Sequence, residues 1–517
     1  MRSPLQSIVL ISLLFCLCSC SPKNRIEGYV HYRLSTNPTT LDPALIVDMQ
    51  GGLIAAKLFN GLVRLNADLD VIPDIAENWE ITESGMGYLF HLKKGVLFSN
   101  NREVTASDIK YSFKRVLDRS GRSPHGWVLE KIQGARDFAS GNAPDVSGII
   151  VQDRYTILFR LDAPFSPFLS LLTMTAAYVV PREEVERWGA DFGTHPAGTG
   201  PFILREWKHN SRLVLAANPR YFDHPPAAAG LVFRIIPEDL TAVTEFELGN
   251  LDVINLPAAE YARYRDSVTW KPYLSSVVGL NTYYLGFNCS RSPFLDKRLR
   301  QAVALAIDRR KILDTFYERR GRLARGPVPD LIRSWEMPPV VEYDPGKAKR
   351  SIRELGASDM RITLYVSAEQ EIADIAEIIQ SYLKKAGLSV TIRQLEWSAY
   401  KEALNRGEAD MFWISWWADY PDPENFLFPL FHSSNHGASG NRTRYSNREV
   451  DRLVEAGRLT MDPEERSRLY GRAERVIVEE SPWVSFWHKT EYTVRQPHLK
   501  KYRTYPIYSM DKGLDVY

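Results

Sequence analysis

Asp419 is the residue whose setting in this chain could do chemistry. It follows the apolar run from Met411 to Trp417 and precedes the turn-forming stretch Tyr420-Pro421-Asp422-Pro423. The run is too short to cross a membrane and has the length of a buried strand, after which the prolines force an irregular exit. Asp419 therefore falls at a strand's carboxyl end, where ligands bind in α/β sheets. A carboxylate enclosed by Trp413, Trp416, Trp417 and Tyr420 would be poorly solvated and would need a cationic partner, which a ligand ammonium could supply. The alternative is that Asp419 caps the following turn and the tryptophans are plain core.

Other reactive constellations are absent. The sequence contains no Gly-x-Ser-x-Gly elbow, no His-Glu-x-x-His and no Gly-x-x-x-x-Gly-Lys-Ser/Thr loop. Gly198-Thr199-Gly200 lacks the third glycine of a dinucleotide turn and is read as an ordinary turn. Ser381-x-x-Lys384 and Ser398-x-x-Lys401 lie on amphipathic helices without companion motifs, and His432 and His436 are separated by Ser-Ser-Asn, which argues for a loop rather than one helical face. No metal and no cofactor is expected, and the remaining route to function is a pocket.

The elements around Asp419 follow from periodicity. Arg361 to Val366 reads as a strand. Glu371 to Lys385 reads as a helix with Ile372, Ile375, Ala376, Ile379 and Leu383 on one face, stopped by Gly387. Val390 to Leu395 is extended, Trp397 to Arg406 is helical up to Gly407, and Asp410 to Trp417 returns as the buried strand. An earlier copy runs through strand Leu231 to Ile236, helix Asp239 to Leu248 and strand Leu251 to Leu256. In both copies a Gly-x-x-Asp followed by two apolar residues opens the last strand, at Gly249 and at Gly407. Glycine permits the left-handed stop and aspartate accepts free amides, so both are read as scaffold. Two α/β lobes then imply a clamshell with a cleft.

Ahead of the earlier copy, from about Gly61 to Thr175, the pattern changes. Tyr88 to Leu92 and Val96 to Ser99 read as a hairpin, Thr105 to Asp108 as a capping box, and Asp145 to Leu161 as a second hairpin. The expected organisation is α/β. A periplasmic-binding-protein-like first lobe comprises 21–60 with 176–275 and 492–517, an α+β domain is inserted at 61–175, and a second lobe spans 276–491.

The amino terminus reads as an export signal over residues 1–20, with Arg2 ahead of the apolar stretch Ile8 to Leu17. Leu17-Cys18-Ser19-Cys20 resembles the lipobox of bacterial lipoproteins, which implies lipidation at Cys20 and an extracytoplasmic, membrane-anchored protein in the periplasm or on the outer cell surface. The mature chain then keeps one other cysteine, Cys289, and must fold on its core without an internal disulfide. With 65 basic against 63 acidic residues, the formal charge of +2 gives no pull toward nucleic acid.

A wider resemblance rests on motifs along nearly the whole mature chain: Leu41-Asp42-Pro43, Ile72-Pro73-Asp74-Ile75-Ala76-Glu77-Asn78-Trp79, Gly95-Val96-Leu97-Phe98, Gly198-Thr199-Gly200-Pro201-Phe202, Tyr284-Leu285-Gly286-Phe287-Asn288 and Asp296 to Ala302. In this order they resemble the peptide-binding proteins of ABC importers, extracytoplasmic solute-binding family 5. The resemblance implies a monomer that closes on an oligopeptide and delivers it to a membrane permease. It also implies that Asp419 pairs with the peptide's α-amino group, with Trp397, Trp413, Trp416, Trp417 and Tyr420 around the ligand. Dipeptide-binding relatives carry an arginine shortly after the strand matching Arg361 to Val366, whereas this chain reads Ser367-Ala368-Glu369-Gln370-Glu371. Longer peptides are therefore favoured, with Arg442, Arg444 or Lys401 as possible partners of the ligand carboxylate. Nickel chelates, haem and oligosaccharides are alternative cargoes within the family, and an exported hydrolase is the rival outside it.

Overall fold

The computed structural model describes residues 25–337, 340–358 and 360–517; Cys20 and the rest of the expected export signal lie outside them. Around Asp419 the apolar pattern becomes strand Arg361–Ser367, helix Gln370–Ala386, strand Ser389–Leu395, helix Trp397–Arg406 and strand Met411–Trp417. Both helices end on a glycine in the left-handed region, Gly387 and Gly407. The strands pair in parallel with Arg361–Ser367 between the other two, the arrangement that helical crossovers permit.

The earlier copy is built alike. Tyr29–Leu34 lies between Gly230–Ile235 and Val253–Asn255, parallel to both, with helix Asp239–Glu247 connecting the outer two. The repeated Gly-x-x-Asp does the same work twice. Gly249 and Gly407 take φ of 76° and 74°. The Asp252 carboxylate accepts the His31 amide at 2.7 Å, and the Asp410 carboxylate accepts the Thr363 amide at 2.9 Å. Each amide belongs to the neighbouring parallel strand and would otherwise be unsatisfied at its buried end.

Both copies belong to one twelve-stranded sheet. Its longest strand, Trp483–Arg495, pairs through its first part with Asn281–Phe287 and through its last part with Leu274–Val278 and Val253–Asn255. The chain thus passes between the two halves twice, along this strand and through Gly279-Leu280 beside it. The Lys489 amide donates to the Asn281 side chain at 2.7 Å, and the Gly279 amide donates to the Lys489 carbonyl at 3.0 Å, tying the crossings together. The expected lobe boundary at 491/492 falls inside this single strand.

A separate four-stranded sheet runs in the order Ala76–Thr82, Gly87–Leu92, Thr156–Arg160, Ile149–Asp153. Helix Ala106–Leu117 opens on the Thr105 and Asp108 capping box and buries Ile109, Phe113 and Val116; Phe113 stacks on Phe159 at 5.2 Å between centroids. One expected pairing is replaced. Gly87–Leu92 is flanked on both sides by Ala76–Thr82 and Thr156–Arg160, so no edge is left for Val96 to Ser99, and Leu97 keeps only an isolated bridge to Glu103. The fold is a clamshell of two α/β lobes with an additional α+β domain.

Candidate functional site

A cavity of about 1360 Å³ opens between these parts, larger than the ~300–1,000 Å³ common for small-molecule sites. Its walls come from every part of the fold: Met49 and Tyr508 from the first lobe, Trp127 and Phe165 from the additional domain, Trp416 to Tyr420 from the second lobe, and Lys489 to Tyr492 from the crossing strand. Val47, Met49 and Trp127 are large apolar side chains left strongly exposed, and all three face this space.

Asp419 stands at the exit of Met411–Trp417 as the sequence requires. Strand pairing ends at Trp417 opposite Asn281, and Asn425 then fixes the turn. The Asn425 carbonyl oxygen accepts from the Asp419 amide at 3.1 Å and from the Trp416 indole at 3.2 Å, while its amide donates to the Asp419 carboxylate at 3.3 Å. The turn itself is capped by another residue: Asp422 accepts the Glu424 amide at 2.7 Å. Three acids occur in this segment, and the structure separates them. Asp422 pairs with Arg466 at 2.6 Å and Glu424 with Arg458 at 2.8 Å; Asp419 pairs with no cation among the described residues. It is exposed to the cleft, yet protein crowds the carboxylate on its other sides. Burial therefore raises its pKa above the ordinary carboxylate value, offset in part by the Asn425 hydrogen bond and by His125.

The predicted aromatic shell divides. Trp416, Trp417 and Tyr420 line the cavity; Trp413 and Trp397 do not. Trp413 shares a strand face with Trp417 by the two-residue alternation, but it sits four residues earlier, about 13 Å back along the strand. There it packs edge-on to Phe486 within the core, at 4.7 Å between centroids. Trp397 lies on the outer side of its helix, 6.0 Å from the Tyr400 ring, with Lys401 5.2 Å from its centroid. Tyr420 is buried against the additional domain, with its hydroxyl on Glu424 and its ring 6.3 Å from Trp127. The cations offered for a ligand carboxylate are elsewhere too: Arg442 and Arg444 donate to Asn405 at 3.2 and 2.9 Å.

Charged residues that the sequence left unmarked complete the lining. Among its acids, Asp48 accepts from Thr39 and Gly51, Glu130 pairs with Lys131, Asp239 with Arg33, Glu424 with Arg458 and Asp511 with Lys57. Among the described residues Asp48, Asp419 and Glu491 have no cation, and of these Glu491 alone also accepts no hydrogen bond. Arg320 pairs with Glu371 at 2.8 Å, which leaves Lys489 and Arg503 as the lining cations without an ion pair among the described residues. Arg503 lies in the stretch Tyr502-Arg503-Thr504-Tyr505-Pro506-Ile507-Tyr508. Its aromatic density, in a segment with neither helical nor strand periodicity, was the available signal for this wall.

A roomy cleft between two α/β lobes, with an unpaired carboxylate in its wall and apolar side chains held open to it, defines a solute-binding protein of the clamshell class. Residues 70–438 match the family described as Bacterial extracellular solute-binding proteins, family 5 Middle, and the chain belongs to that family. It is 29% identical over 510 residues to Heme-binding protein A of Haemophilus influenzae, covering 94% of this chain and 92% of that one. It is 28% identical over 487 residues to Di/tripeptide-binding protein 2 of Pseudomonas aeruginosa, covering 88% of each. Among solved structures, the ABC transporter-associated periplasmic binding protein DppA from Helicobacter pylori, in complex with the peptide STSA, superposes with a TM-score of 0.78 at 25% identity, covering 95% of this chain and 98% of that one. These relatives are binding proteins by name, and family 5 proteins act outside the cytoplasm.

Proposed function

We propose that this protein captures oligopeptides in the cleft, holds the peptide α-amino group on Asp419 and delivers the cargo to an ABC-type importer, anchored to the membrane through a lipidated Cys20. The observation that carries the reading is the Asp419 carboxylate: crowded by protein, oriented by Asn425, facing the cleft and lacking a cation that a peptide amino terminus would supply. The lobes that close are 21–60 with 176–275 and 492–517 on one side and 276–491 on the other, joined at the paired crossings. Extended peptides gain affinity from main-chain hydrogen bonds while a large cleft tolerates varied side chains. The relatives named for di- and tripeptides and the neighbour holding STSA support this cargo class.

Haem is the second reading, favoured by the relative named Heme-binding protein A and by the exposed Met49 and Trp127 in the wall. Native mass spectrometry of freshly purified protein separates the two. Co-purifying peptides of several lengths are the expected result; a single porphyrin mass without peptides would replace the peptide reading. For the anchor, Cys20→Ser should release the protein from membranes, and lipid-bearing, membrane-bound Cys20→Ser material would remove that assignment.

A further inference from the structure

Besides Asp48 and Asp419, the cleft wall carries one more carboxylate without an ion pair among the described residues. Glu491 lies on Trp483–Arg495, opposite Val277 of the neighbouring strand, where the chain crosses between the lobes. It lines the cavity, and among the described residues its carboxylate has no hydrogen bond and no ion pair. Arg320, whose carbonyl accepts the Thr490 amide at 3.0 Å, turns its guanidinium to Glu371 at 2.8 Å and lies over the Tyr317 ring at 4.2 Å. Lys489, two residues away on the same strand, is the one cation that lowers the pKa of Glu491, yet it makes no ion pair with it; burial outweighs that effect and leaves the pKa raised. Tyr502 and Tyr283, both near this carboxylate, are buried and not ionised at neutral pH. A desolvated acid with no partner is costly unless a ligand cation satisfies it.

We infer that Glu491 forms a second recognition point in the cleft, which receives the ammonium or guanidinium of a basic side chain on the bound peptide. This rests on the peptide reading and adds a preference to it: Asp419 takes the α-amino group common to all peptides, and Glu491 selects among them. Because Glu491 sits on a strand shared by both lobes, a basic side chain bound there contacts the crossing that moves during closure.

The test uses tetrapeptides of alanine in which each position after the first carries lysine or its uncharged analogue norleucine, titrated calorimetrically into the full-length protein and into Glu491→Gln. At one position the unmodified protein should prefer lysine by about ten- to a hundredfold, the range of a hydrogen bond to a charged group. In Glu491→Gln that ratio should fall to near one. Equal binding of lysine and norleucine at every position of the unmodified protein overturns the inference, as does a lysine preference that survives in Glu491→Gln. If tetraalanine and all its variants fail to bind the unmodified protein, the peptide reading itself falls, and this inference with it. Glu491→Asp, which keeps the charge on a shorter arm, should retain part of the preference and so separate lost charge from a perturbed strand.

Discussion

Asp419 differs from its neighbours Asp422 and Glu424 only in what surrounds it. They are held by Arg466 and Arg458, and it has no cation among the described residues. Asp419→Ala should weaken peptide binding by roughly two to three orders of magnitude, as loss of one partner of a desolvated ion pair does. Acetylating the peptide α-amino group should do similar damage, and the two changes together should cost less than their sum, because both break one contact. Calorimetry on the four combinations decides this, and full additivity would take Asp419 out of the contact. The raised pKa adds a pH signature. A peptide ammonium paired with Asp419 would favour its ionised form, so the free protein would bind a proton there more readily than the complex. Affinity must therefore fall as pH drops through the raised pKa. Asp419→Asn should flatten that acid limb in titrations across pH, leaving only the decline above about pH 8, where the peptide amino group loses its proton.

At the scale of elements, two carboxylates act as fasteners. Asp410 accepts both the amide and the hydroxyl of Thr363, at 2.9 and 2.8 Å, and so ties down the start of strand Met411–Trp417, which leads to Asp419. Asp410→Ala should cost about 1–3 kcal/mol in denaturant unfolding, the penalty for an unsatisfied buried amide. A change within experimental error would mean that water replaces the carboxylate. Glu474, fully buried in helix Pro463–Glu480, accepts the Val328 amide at 2.9 Å and the Trp335 indole at 2.7 Å. Burial pushes its pKa up to about 7. Between the ordinary carboxylate value and pH 7 the folded protein therefore holds a proton that the unfolded chain has lost, and stability should fall as pH rises through that window, by up to about 3 kcal/mol. Glu474→Gln should remove this slope in unfolding curves at pH 5 and pH 8; an unchanged slope would assign it to other groups.

For the whole molecule, the two crossings lie side by side and are bonded through Asn281, so any relative motion of the lobes should concentrate in a few residues near 279–281 and 488–492. Ligand should close the cleft by rotation about these strands and reduce the radius of gyration measured by solution scattering. Identical scattering curves before and after a calorimetrically verified ligand would count against closure. Tyr420, whose ring is embedded in the core of the additional domain, connects that domain to the segment carrying Asp419.

Local pattern was enough to place Asp419 at a strand's end, to find the two Gly-x-x-Asp scaffolds and to separate an α+β region from two α/β copies, because each depends on residues close together in sequence: periodicity, a left-handed glycine, a proline-rich exit. The motifs resembling family 5 added the expectation of an oligopeptide ligand to the cleft that the two copies imply. Tertiary structure alone decided which acids are neutralised, since Arg458 and Arg466 come from distant helices. It moved Trp413 into the core and Trp397 to the outside, because alternation gives a face but not a depth. It denied Val96 to Ser99 a partner, because the two edges of Gly87–Leu92 are taken by the strand just before it, Ala76–Thr82, and by the distant Thr156–Arg160. Lys489, Glu491 and Arg503 became candidates only when the long strand and the aromatic carboxyl-terminal segment came together around one cavity, a juxtaposition that no local spacing encodes.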